Sequence, residues 1–266
     1  MLSRLTRLPR PAALAVCAAP VLGLFAVAAL APLPFVVAVP GPTADVLGSD
    51  QGKPVITITG APVRDTKGQL RMTTIRATGP SSTMKLPELV RHWFKTDQAV
   101  MPREAVYPSG GSDKQIEEHN LEEMAQSQSA AAAAALGYLK KDPKDIKVQL
   151  NLADVGGPSA GLLFTLGIVD KIDGDGSGGE LTGGRSIAGT GTIGADGAVG
   201  AVGGVGLKTQ AARRDGATVF LVPKAECSDA KSELPEGLQL IPVTSLTDAV
   251  NSLRALDREP DSVPSC

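Results

Sequence analysis

The residues best placed to do chemistry are a serine and a lysine. Ser159 sits in Gly156-Gly157-Pro158-Ser159-Ala160-Gly161, and Lys208 closes Gly203-Gly204-Val205-Gly206-Leu207-Lys208. A serine hydroxyl becomes a useful nucleophile when a base takes its proton. Imidazole is the usual base, yet the chain has two histidines, His92 and His119, and neither lies in a catalytic or metal-binding pattern. Lysine can replace it if neutral, and burial among apolar groups lowers a lysine pKa by penalising the charged form. The neighbours of Lys208 suit that: Ala201, Val202, Val205 and Leu207 precede it, and Thr209, Gln210, Ala211 and Ala212 follow. Around Ser159, Gly156, Gly157 and Pro158 make a tight turn, while Ala160 and Gly161 keep bulk away from a substrate carbonyl. A helix starting near Ser159 would aim its first free amides at an oxyanion. Each feature alone reads plainly, as a capped turn and a surface lysine. The pair, in this order and with these flanks, points to hydrolysis by a serine–lysine dyad.

The elements around the pair must position it. Lys147 to Leu152 alternates as a strand leading into the serine loop, and Leu162 to Ile172 reads as a buried helix leaving it. Arg185 to Ile193 and Ala198 to Val202 read as strands about the Asp196-Gly197 turn. Leu207 to Arg214 is a helix ended by Gly216. Val219 to Val222 and Leu238 to Val243 are strands, and Leu246 to Leu256 is an amphipathic helix. Upstream, Val55 to Thr59 and Gln69 to Thr78 are strands, and Leu86 to Phe94 is a short helix with Trp93 on its apolar side. Met101 to Gly111 is loop-like. Ser112 and Asp113 cap a long helix to Tyr138, whose early glutamates suit its dipole. Mixed strands and helices of this kind indicate an α+β, or mixed α/β, fold.

Composition narrows the function. A net charge of −2 offers no electrostatic case for nucleic acid. Thirty glycines, twenty prolines and only 3% aromatics imply a core of small aliphatic residues with many tight turns. Arg4, Arg7 and Arg10 precede an uncharged run from Pro11 to Val39, of which Ala12 to Ala31 is long enough to span a bilayer. The arginines should remain cytoplasmic, placing the chain after Pro40 outside. A signal peptide cleaved near Ala28-Ala29-Leu30-Ala31 is the rival reading, disfavoured by the length of the run. Cys17 lies inside it. Cys227 and Cys266 would lie outside, where disulfides persist, and are expected to pair.

Further motifs now join the first pair. These are Leu181-Thr182-Gly183-Gly184, Gly189-Thr190-Gly191-Thr192-Ile193, and the run from Gly197 to Gly204. Ala211-Ala212-Arg213-Arg214-Asp215-Gly216-Ala217, Val219 to Pro223, and Met124 to Ala130 complete the set. Together they resemble the proteolytic domain of the Lon protease family, and most closely its bacterial membrane-anchored branch, over about Val55 to Val250. The resemblance implies a Lon-like fold behind one membrane helix, Ser159 as nucleophile, Lys208 as base, and Thr190 as the threonine that holds the lysine. Gly156, Gly157, Pro158 and Ala160 then form the oxyanion and substrate loop. The expected organisation is a cytoplasmic stub and anchor over 1–40, an extracytoplasmic protease over 41–256, and a tail over 257–266.

One departure stands out. The anchored branch carries a PDZ module between the long helix and the strand entering the serine loop, where this chain has only Gly137 to Lys147. No Gly-x-x-x-x-Gly-Lys-[Ser/Thr] occurs, so no ATP is expected. The substrate would be a protein or peptide, captured as a flexible segment or through a homo-oligomer or adaptor partner. No cofactor or metal is expected. Gly189 to Gly194 fits a dinucleotide glycine pattern, but a hairpin comes next where a helix is needed. Asp173-Gly174-Asp175-Gly176-Ser177-Gly178 imitates a calcium loop whose twelfth position is Gly184 rather than glutamate. A catalytically silent, membrane-tethered binding protein that keeps the fold is the alternative function; intact Ser159, Lys208 and Thr190 argue against it.

Overall fold

The computed structural model describes residues 9–107, 112–152 and 157–266. In chain order the elements are α1 (Arg10–Leu30), β1 (Phe35–Asp45), β2 (Ser49–Asp50), β3 (Lys53–Pro54), β4 (Ile56–Thr59), β5 (Gln69–Ala77), α2 (Leu86–Trp93), β6 (Ala99–Pro102), α3 (Arg103–Val106) and α4 (Asp113–Tyr138). Next come β7 (Lys147–Leu150), α5 (Gly161–Ile172), β8 (Ser186–Gly189), β9 (Thr192–Ile193), β10 (Val199–Gly200), α6 (Val205–Arg214), β11 (Val219–Pro223), α7 (Cys227–Ser232), β12 (Gln239–Val243) and α8 (Leu246–Arg258).

These elements form two compact units. One takes the described residues of Met1–Val37 and Ala77–Gly110, the other those of Ala38–Arg76 and Gly111–Cys266. The division runs through β1 and β5. The described residues of 77–107 thus group with the N-terminal segment, and residues 257–266 with the second unit.

The second unit is built on a sheet with strand order β12-β11-β8-β5-β1. β5, β8, β11 and β12 run parallel, with Met72 opposite Gly189 and Gly189 opposite Leu221. A parallel sheet must be covered on both faces, and alternate residues of each strand point to opposite sides. In β11, Val219 and Leu221 join one core while Phe220 and Val222 join another. Ile187 and Ala188 of β8 divide the same way. The first core holds residues of α4, α5 and α8, including Met124, Leu163, Phe164 and Leu253. The second holds Val205 and Ala212 of α6 with Ala230 of α7. This is the mixed α/β arrangement that the sequence suggests.

Helix α4 starts with a capping box: the Gln115 amide donates to Ser112 Oγ, and the Ser112 amide donates to Gln115 Oε1 at 2.9 Å. Its buried face runs Met124, Ser127, Ala131, Ala134 and Ala135 at helical spacing, and the alanines let α5 approach closely. Helix α5 is buried on all sides from Gly161 to Asp170. The Thr165 hydroxyl, inside it, donates to Gly161 O at 2.8 Å. Asp170 Oδ1 accepts from the Leu181 amide at 2.7 Å, and burial pushes this carboxyl up to about 6.

In the first unit β6 pairs with β1, and the Arg103 amide donates to Pro34 O at 2.9 Å. Two features here depart from the sequence reading. Helix α1 ends at Leu30, and Phe35 to Val39 form the start of an eleven-residue strand rather than the end of the apolar span. Pro32 and Pro34 cannot extend a helix, and the β-branched pair Val36-Val37 is buried in the strand. Met101 to Gly111, expected as loop, contains the end of β6 and all of α3; residues 108–111 lie outside the described set. Trp93 lies on the apolar side of α2, as expected, and that side is open, with Trp93 63% exposed. In the second unit, α7 is an element the sequence reading does not contain.

Candidate active site

Thr190 sits directly after the carboxyl end of β8, and three hydrogen bonds fix it. Its amide donates to Leu221 O in β11 at 3.1 Å. Its hydroxyl donates to Ser159 O at 3.3 Å and accepts from Lys208 Nζ at 3.1 Å. The Gly191 amide also donates to Ser159 O, at 3.0 Å. The serine loop is thus laced to the chain leaving β8, and the lysine is joined to it through one hydroxyl. Crevices at the carboxyl ends of parallel strands are where open α/β sheets place their sites.

Packing against α4 and β9 holds the serine side. Gly157, at φ +87°, donates its amide to Asn120 O at 3.0 Å, and the Ser127 hydroxyl donates to Pro158 O at 3.1 Å. Helix α5 begins at Gly161 with Ala160 as its cap, slightly later than a start at Ser159 itself. A Cβ on Gly161 would lie 2.9 Å from both Ile193 Cγ2 and Ser127 Oγ, so glycine lets the helix start abut β9 and α4. The Ser159 and Ala160 amides meet no acceptor among the described residues. A cleft of about 260 Å³ lies beside Pro158, lined by Glu123, Gln126, Ser127, Ala130, Thr192 and Ile193. A larger one, about 410 Å³, lies between α4 and the β2, β3 and β7 strands, and its lining includes neither Ser159 nor Lys208. Gly156 lies outside the described residues.

Charge holds the lysine side. Gly204, at φ +68°, turns the chain into α6. The Val205 amide, at the positive end of that helix, donates to Asp229 Oδ2 at 3.0 Å, and the Val202 amide donates to Glu226 Oε1 at 2.8 Å. Between the two acids, Cys227 is disulfide-bonded to Cys266 with Cα atoms 5.4 Å apart. Lys208 is 3% exposed, and burial pushes its pKa down to about 8, against the opposing pull of the Glu226 charge. Burial in turn raises the Glu226 carboxyl above its ordinary value. Among the described residues, no hydrogen bond joins Ser159 Oγ to Lys208 Nζ; the amine rests on Thr190.

Sequence reasoning names Ser159, Lys208 and Thr190, and misses Glu226, Asp229, Asn120 and the contact of Ser127. A signal exists for the acids. They come just after a buried strand and bracket Cys227, so they must lie near whatever helix covers that strand. The other polar residues singled out stand apart. His92 is half-buried on α2 against Gln98, and His119 is exposed on α4 beside Glu123. Asp175 ties its own loop to α8, accepting from the Ser177 and Gly179 amides at 2.8 Å each and from Arg258 Nη2 at 3.2 Å. Among the described residues, no group of three or more His, Cys, Asp or Glu is gathered to hold a metal.

The chain belongs to the Lon protease family: residues 120–255 match the Lon protease (S16) C-terminal proteolytic domain. That domain is a serine peptidase, and the matched span holds the serine loop, β8, α6 and β11. No curated protein matches the chain.

Proposed function

We propose that this protein is a serine endopeptidase in which Ser159 is the nucleophile and Lys208 the general base. It is anchored by α1 and acts on extracytoplasmic proteins or peptides without ATP. The observation that carries the reading is the buried amine of Lys208, lowered to about 8 and tied through Thr190 to the Ser159 carbonyl. A neutral amine that donates one N–H to Thr190 keeps its lone pair free for the serine proton. Among the described residues Nζ bonds to Thr190 and not to Ser159 Oγ, so in this reading substrate binding brings Ser159 Oγ into reach, a tightening common between resting and Michaelis states.

In the first step Lys208 Nζ takes the Ser159 proton as Oγ bonds to the peptide carbonyl carbon. The oxyanion is met by the Ser159 and Ala160 amides. Collapse breaks the C–N bond, and Lys208 returns its proton to the leaving amine. Water then attacks the ester carbonyl, giving its proton to Lys208; collapse breaks the bond to Ser159 Oγ, Lys208 returns the proton to Oγ, and the acid product departs. Since the neutral share of Lys208 grows as pH rises through about 8, turnover should climb over the same range.

Support for the anchor comes from Pro11–Leu30, whose mean hydropathy is 2.4 and none of whose window is buried in the protein. Arg4, Arg7 and Arg10 before it favour a cytoplasmic N-terminus. The Cys227–Cys266 disulfide suits an oxidising compartment. A fluorophosphonate probe tests the nucleophile. Ser159 should be labelled in the full chain, and labelling should vanish in Ser159→Ala. An unlabelled wild-type protein that also leaves peptide libraries uncut would favour the silent, tethered scaffold.

A further inference from the structure

Helix α2 presents an apolar face that the described residues leave exposed. It buries no residue, yet Leu86, Val90, Trp93 and Phe94 fall on one side at the spacing i, i+4, i+7, i+8. Their exposures are 39, 45, 63 and 81%. Two large aromatic rings held in water at the end of a short helix are uncommon on a protein that has no partner there. The place of α2 says what the partner is. Just beyond the end of α1, the Leu33 amide donates to Met84 O at 2.8 Å, and Met84 comes just before α2. Helices α1 and α2 touch within this unit. If α1 crosses a bilayer, α2 therefore begins where the chain emerges from it. An eight-residue helix, about 12 Å long, keeps Trp93 close to that plane.

We propose that α2 is a membrane-surface helix whose Leu86, Val90, Trp93 and Phe94 face beds in the boundary between lipid headgroups and acyl chains. The inference rests on reading α1 as the anchor. Tryptophan prefers that boundary because its ring is apolar and its N–H finds a partner among the headgroups. The charges agree with anionic headgroups. Lys85, Arg91 and Lys95 are exposed along and beside the helix, while the Glu88 carboxylate is occupied in capping, accepting from the Lys85 amide at 3.0 Å. The helix thus adds a second, sideways hold to the single span. It also fixes the rotation of the first unit about α1.

Trp93 is the sole tryptophan, so selectively excited tryptophan emission reports on this face alone. The full chain is reconstituted in vesicles of phosphatidylcholine and phosphatidylglycerol, floated on a density gradient, and its emission recorded. The inference expects blue-shifted emission and shielding from aqueous acrylamide. It also expects severalfold stronger quenching by lipids brominated high on the acyl chain than by lipids brominated deep. Val90→Asp with Phe94→Asp should leave flotation intact and make Trp93 wet. Wild-type protein that floats while Trp93 stays open to acrylamide overturns the inference and leaves the anchor standing. Emission that is blue-shifted and shielded, yet unquenched by any brominated lipid, also overturns it, because a protein surface then covers the face. A chain that fails to float removes the anchor reading first.

Discussion

The serine and the lysine are held by different means. Ser159 stands at the head of a helix buried on every side, and apolar packing against α4 and β9 sets its position. Lys208 is also buried, on a helix that packs Val205 and Ala212 into the second core, but here two carboxylates also bind amides at the helix start and just before it, on a segment closed by a disulfide. Packing fixes a position steeply and resists adjustment, because interiors have little free volume. Charged clamps fix position and also set the proton affinity of what they hold. The two sides should therefore fail differently: damage to the serine side should cost stability, and damage to the lysine side should change how activity depends on pH.

The largest effect separates base from charge. Lys208→Arg retains a cation that cannot be deprotonated in proteins, so kcat should fall by about 10³-fold or more with fluorophosphonate labelling lost. Circular dichroism should report an intact fold, and measurable turnover in that variant would exclude Lys208 as the base. On the serine side, Gly161→Val forces a branched side chain against Ile193 and Ser127, and should lower unfolding free energy by about 1–3 kcal/mol in urea titration. An unaltered midpoint would show that packing does not set the position of the serine loop.

Smaller effects test the bridge and the clamp. Thr190→Val removes the acceptor of Lys208 Nζ and the donor to Ser159 O, and should cost about tenfold in kcat, with Thr190→Ser restoring most of it. Glu226→Gln keeps an oxygen for the Val202 amide and deletes the charge facing Lys208. The acid favours protonated lysine, so its loss lowers the Lys208 pKa below about 8 and moves the rising limb of kcat/KM to lower pH, by less than about one unit for a partly screened charge. A limb that stays in place, or moves up, would detach Glu226 from the base.

Much of this is legible in the residues alone. Strand alternation in Ile56 to Thr59, the unbroken apolar run of β11, and the capping box at Ser112 each carry a local signal of the right period. The serine loop, Thr190 and Lys208 are legible because their flanks match a family pattern. The hidden features depend on distance along the chain. Glu226 and Asp229 look like ordinary surface acids until β11 folds beneath α6. The start of β1 is masked by its own hydrophobicity, since Phe35 to Val39 continue an apolar run and only Pro32 and Pro34 mark the break. The apolar side of α2 that carries Trp93 is legible, but amphipathic spacing reveals that a face exists and not what lies against it.

The bridge between Cys227 and Cys266 closes a covalent ring around β12 and α8. β12 is the outermost strand of its sheet, the place where a sheet recruits strangers or trades strands with a twin. Inside a closed ring such a trade would require threading one loop through another. A reductant would unlock that border, and entangled dimers or aggregates would be the sign that it had been opened.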